Sequence, residues 1–97
     1  MGFYRYVLIE TFRNYGEPSS KNIRARPLPG QGLSTDMKVE CSSKMRMKHP
    51  VGTIFKIRAQ VTDRDGGGLF LYTSWQWTYE ILTKEQADDY IATGGNK

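Results

Sequence analysis

Ninety-seven residues suffice for one domain with one modest core, and a lone cysteine, Cys41, rules out a framework of intrachain disulfides. The longest aliphatic run, Val7-Leu8-Ile9, is too short for a membrane-spanning helix or a signal-peptide core, so a soluble, cytoplasmic protein without a membrane partner is expected. The net charge of +4 is uneven: residues 1–58 carry eleven Lys and Arg against four acids, and residues 59–97 carry three against six, a dipolar pattern able to draw polyanions to the first half.

Residues 3–12, FYRYVLIETF, read as the first strand. Phe3, Arg5, Val7, Ile9 and Thr11 fall on one face; Tyr4, Tyr6, Leu8, Glu10 and Phe12 fall on the other. Both faces are largely apolar, which places this strand in the centre of a sheet or in an interface. After a loop rich in Gly, Pro, Asn and Ser, residues 23–28 form a short second strand. It carries Arg24 and Arg26 on one face, and Pro27, which lacks an amide donor, puts it at an edge. A third strand is expected over 36–42, with Met37, Val39 and Cys41 inward. The next stretch, SKMRMK, is consistent with a helical turn or an exposed extended arm.

From Phe55 the alternation is clean: Phe55, Ile57, Ala59 and Val61 oppose Lys56, Arg58, Gln60 and Thr62. The run Asp63-Arg64-Asp65-Gly66-Gly67-Gly68 has hairpin vocabulary, and residues 69–81 return antiparallel to 53–62. In that return, Trp75, Trp77 and Tyr79 share a face, and Tyr72 takes the opposite one unless a bulge intervenes near Thr73-Ser74. Thr83 with Gln86 spells a capping box for a helix over about 84–93, with Ala87, Tyr90 and Ile91 turned to the sheet. The expected fold is a single α+β domain over residues 1–97, predominantly antiparallel β. Five or six strands form a strongly curved sheet or small barrel with one C-terminal helix.

The residues that could carry chemistry are few. Cys41 and His49 lack the company a metal or a nucleophilic pair requires. Asp63 and Asp65 fit a turn better than a calcium loop. Gly30-Gln31-Gly32 lacks the third glycine of a dinucleotide fingerprint, and no helix follows it. No catalytic residue, cofactor or metal is therefore expected, and the protein reads as a non-enzyme. An enzymatic alternative would have to assemble Asp63, Asp65, His49 and Tyr72 from distant positions.

Two surfaces remain. Arg24, Arg26, Lys38, Lys44, Arg46, Lys48, Lys56 and Arg58 would form a polyanion-binding patch if their strands are neighbours, with Tyr4, Tyr6, Tyr72, Trp75 and Trp77 as stacking faces for unpaired bases. In that reading Arg24 and Arg26 are the pair whose loss would weaken binding. Trp75, Trp77 and Tyr79 would alternatively line a pocket for an apolar or cationic small molecule, or pack between subunits.

The segments YRYVLIETFRNYGEPSSKNIRARPLPGQG and HPVGTIFKIRAQVTDRDGGGLFLYTSWQWTYEIL resemble small uncharacterised bacterial proteins of the kind encoded on mobile integron gene cassettes. The resemblance spans nearly the whole chain and carries no catalytic motif. It implies a bacterial, cytoplasmic accessory protein that forms homo-oligomers. The leading expectation is a non-enzymatic binding or interaction module acting as a homodimer or higher oligomer. Single-stranded nucleic-acid binding and small-molecule binding stand as alternatives.

Overall fold

Period-two alternation of apolar and polar residues sets the architecture, because each strand must turn its apolar face to a common core. The structure is a computed structural model that describes residues 4–13, 23–64, 68–74 and 78–94. Among the described residues six strands, β1 (Tyr4–Arg13), β2 (Ile23–Pro27), β3 (Lys38–Glu40), β4 (Ile54–Arg64), β5 (Gly68–Tyr72) and β6 (Tyr79–Leu82), accompany two helices, α1 (Ser43–Lys48) and α2 (Lys84–Ala92). The sheet order is β2-β1-β4-β5-β3, with β6 beside β4. All pairings are antiparallel except β3 with β5. The fold is thus α+β and mostly antiparallel. The sheet curls until its end strands β2 and β3 face each other across a cleft of about 390 Å³, so the barrel is nearly closed.

The inner face carries the main core: Val7 and Ile9 of β1, Phe55, Ile57 and Ala59 of β4, Leu71 of β5, Ala25 of β2 and Val39 of β3. In the β1–β4 register Val7 opposes Ile57 and Ile9 opposes Phe55, which puts large apolar side chains directly across from one another. β1 is buried on both faces at Val7, Leu8 and Ile9, as its two apolar faces require of a central strand. Leu8, Ile54 and Ala87 form a second cluster on the outer face, joined by Leu28, Leu82, Tyr90 and Ile91. Helix α2 docks there, and its capping box is present as read: Gln86 N–H donates to Thr83 Oγ1 at 3.1 Å and Thr83 N–H to Gln86 Oε1 at 2.9 Å.

One element differs from the expectation, and the conformation left open at 43–48 is helical. The third strand is Lys38–Glu40 and not 36–42. At its start Asp36 belongs to a turn, with its N–H bonded to Ser34 Oγ and Met37 N–H bonded to the Ser34 carbonyl. At its end α1 begins directly after Ser42, whose carbonyl accepts from Arg46 N–H at 3.3 Å. Residues 43–48 are helical, so Met45 and Met47 separate: Met45 enters the core and Met47 stays exposed, where a strand would have kept both on one face.

The return from β4 is interrupted. Gln60 pairs with Tyr72 and Ile57 pairs with Tyr79, so three steps along β4 are matched by seven along the return, an excess of four residues. Thr73 anchors the departure. Its hydroxyl donates to the Arg58 carbonyl at 2.7 Å, filling a place in the broken ladder, and its N–H donates to the Glu40 carbonyl of β3 at 3.0 Å. An even excess preserves parity, so Tyr72 lies on the outer face opposite Gln60 and Tyr79 on the inner face opposite Ile57.

Candidate functional site

The outer face of β1, β4 and β5, beyond the edge of α2, holds an exposed aromatic and basic surface. Even-numbered residues of β1 point outward, so Tyr4 and Tyr6 stand there at 48% and 44% exposure. Register places Gln60 beside Tyr4 and Tyr72 beyond Gln60, in one row across three strands. Adjacent strands lie roughly 5 Å apart, so Tyr4 and Tyr72 flank Gln60 about 10 Å from each other. In the next row Tyr6 opposes Arg58. The cations lie on the rings: Arg58 is 5.2 Å from the centre of Tyr4, and Lys56 sits 5.1 Å from Tyr6 and 5.0 Å from Tyr90. These contacts hold long side chains in place and keep positive charge next to planar surfaces.

The surface runs into a cleft of about 680 Å³ between β1, the loop over residues 30–32 and the end of α2. Gln31 builds its wall. Its side chain imitates a strand continuing past Pro27: Leu8 N–H donates to Oε1 at 2.7 Å, and Nε2 donates to the carbonyls of Leu8 and Leu28, each at 2.9 Å. Its own carbonyl accepts from the Arg5 guanidinium at 3.1 Å. Gly30 makes the approach to the helix possible. Its φ is +94°, and a Cβ there would stand 2.8 Å from Ile91 Cγ2. Tyr90 also lines the cleft, and its hydroxyl is buried without a hydrogen-bond partner among the described residues.

The structure divides the eight basic residues of the expected patch. Lys56 and Arg58 join the tyrosine face. Arg24 and Arg26 lie at the other end of β1, where Arg26 stacks on Phe12 at 4.6 Å and pairs with Glu10 at 3.2 Å. Between the two groups sits α2, covering Leu8 and Ile54. Arg24, Lys38 and Arg46 border a separate cleft near Asp36, Glu40 and Cys41, while Lys44 and Lys48 border a cavity of about 240 Å³ that also holds Tyr79. The single patch is divided because the barrel curves the strands away from one another and Lys44, Arg46 and Lys48 lie on α1, so Arg24 and Arg26 are not the pair that would test the tyrosine face.

Tyr79 does not join the other tyrosines. It is half-buried against the core, packs edge-on with Phe55 and His49, and its hydroxyl lies 3.2 Å from His49 Nε2. Trp75, Trp77 and Asp65, together with the side chain of Asp63, lie outside the described residues. Burial pushes the Cys41 thiol above its ordinary range, and nearby Arg46 offsets this only in part. Among the described residues, no group of three or more His, Cys, Asp or Glu side chains is placed to hold a metal ion.

Arg5, Gln31 and Tyr90 were not read from the sequence as lining a site. A charged residue at inward parity near the start of a strand is a signal that it reaches out of the barrel end, as Arg5 does. An amide between two glycines is a signal of a loop that must turn back on the sheet; Gly30 and Gly32 have φ of 94° and 80°.

No family model matches this chain, and no curated protein or solved structure shows a significant likeness to it.

Proposed function

We propose that the protein is a non-enzymatic binding module for single-stranded nucleic acid, and that the tyrosine face is its contact surface. One observation carries the reading: Tyr4, Tyr6 and Tyr72 are exposed on one outer face of adjacent strands, with Lys56 and Arg58 set among them. Exposed rings on a sheet offer stacking planes to unpaired bases, which every base can use. The cations supply phosphate contacts whose formation releases counterions. A double helix would not expose its bases to such a surface, so single strands are the substrate class that uses both features.

The test is fluorescence anisotropy with labelled single strands at several salt concentrations. Engagement of two or three phosphates by Arg5, Lys56 and Arg58 gives a log–log salt slope of about −1.5 to −2. Tyr4→Ala or Tyr6→Ala costs about 1–3 kcal/mol of binding if a base stacks on the ring. Arg24→Ala with Arg26→Ala leaves the slope nearly unchanged, since those side chains lie beyond α2. Binding that is insensitive to salt and to both tyrosines overturns the reading. If the tyrosines instead close against a second copy of the chain, light scattering exceeds the 11.1 kDa monomer and Tyr6→Ala restores it.

A further inference from the structure

We propose that the cleft beside the tyrosine face seats a terminal phosphate monoester, so that the protein prefers the phosphorylated end of a single strand. The inference rests on the strand-binding reading and adds an end to the track.

The track along β1 is blocked. After Tyr4 and Tyr6, the next outward residue is Leu8, which is fully buried and packed in the cluster that Ala87, Tyr90 and Ile91 of α2 complete. A strand stacked on the tyrosines meets the helix there and turns into the cleft, whose volume of about 680 Å³ lies within the range of small-molecule sites. Among its described lining residues are the guanidiniums of Arg5 and Arg58 and no carboxylate. Arg5 is tethered through one nitrogen to the Gln31 carbonyl, so its fork is held at the rim with further donors to spend. Lys56 stands alongside, between the Tyr6 and Tyr90 rings, with Glu80 at 3.8 Å on the exposed side.

Two planar forks match phosphate oxygens in pairs. An internal phosphodiester carries a single charge, whereas a monoester carries roughly 1.5 to 2 near neutral pH and three strong acceptor oxygens. A cleft with this charge, entered where the track along β1 is blocked, therefore favours the chain terminus over the chain interior. Either end of a strand, or a free nucleotide, presents the same group, and the probes separate these sources.

The probes are three versions of one internally labelled strand of about eight nucleotides: 5′-phosphorylated, 3′-phosphorylated, and hydroxyl-ended at both termini. Unlabelled mononucleotide serves as competitor. One phosphorylated strand should bind roughly tenfold or more tightly than its hydroxyl-ended twin. In the variant Arg5→Ala with Arg58→Ala that advantage should disappear; both side chains are exposed, and a thermal melt checks that the variant folds. Equal binding of the three strands, or an advantage that survives in the folded double variant, overturns the terminal-phosphate seat and leaves the strand-binding reading standing. Failure of all three strands to bind removes both. Displacement by mononucleotide at concentrations as low as the phosphorylated strand itself supports the seat and assigns it to the free nucleotide.

Discussion

The Tyr90 hydroxyl shows how a single atom can oppose the fold that contains it. Its ring belongs to the cluster under α2, but its oxygen is buried and unpartnered among the described residues. Such a group costs on the order of 1–3 kcal/mol, while the ring contact with Lys56 needs no hydroxyl. Tyr90→Phe is therefore expected to raise stability by roughly 1 kcal/mol, read as a higher midpoint in urea; a lower midpoint would show that the hydroxyl has a partner in solution. Cys41 sets an alkaline limit for a related reason. Burial raises the folded thiol's pKa above its unfolded value, so the native state holds its proton more tightly. The stability this contributes is fully present below the unfolded pKa of about 8.5–9 and is lost as pH rises through the higher folded pKa. Wild type should thus lose stability faster than Cys41→Ala as pH rises above the unfolded thiol's range. Parallel curves would refute this.

Among the elements, the broken return strand does most to place the site. Thr73 holds the Arg58 carbonyl and the Glu40 carbonyl at once, and so fixes where β5 leaves β4 while staying beside β3. Thr73→Val keeps the shape and removes the bond to Arg58. The expected cost is about 1–2 kcal/mol, with slackening of the Tyr72–Gln60–Tyr4 row; an unchanged unfolding midpoint would assign the anchoring to the backbone bond alone. The capping box of α2 and the central position of β1 were legible because each depends on neighbours within a few residues. The four-residue excess after Tyr72 was legible only as the chance of a bulge, since its length follows from which residues of β4 find partners. The third strand came out shorter than its alternation suggested. At its start the Ser34 side chain holds a turn at Ser34–Asp36, and at its end α1 begins directly after Ser42, so turn and helix take the backbone that the alternation assigned to the strand.

At the scale of the whole molecule, the two apolar clusters lie on opposite faces of one sheet and do different work. The inner cluster ties together five strands and α1. The outer one attaches α2, whose one fully buried side chain is Ala87. A nine-residue helix has little stability of its own, so it should open without unfolding the barrel. Native-state hydrogen exchange is expected to show the amides of Tyr90, Ile91 and Ala92 opening at markedly lower free energy than those of Val7 and Ile9. Equal protection would make helix and barrel one cooperative unit. Because Tyr90 and Ile91 of α2 line the cleft of about 680 Å³, such opening would also change its shape.

The sequence alone determined what depends on near neighbours. Alternation gave β4 an apolar and a polar face and sorted β1 into two largely apolar ones, the spacing of Thr83 and Gln86 started α2, and charge counting placed the positive excess in the first half. It determined in particular that Tyr4 and Tyr6 share a face and that Lys56 and Arg58 share another. Whether those two faces are the same surface was decided by the antiparallel register that sets Tyr6 against Arg58, and by the curl that carries Arg24 and Arg26 away. The closing of the cleft by Gln31 and α2 was decided in the same way. Periodicity is a property of consecutive residues, whereas adjacency across a barrel depends on closure, on the position of α2 and on the length of an excursion, none of which any single segment encodes.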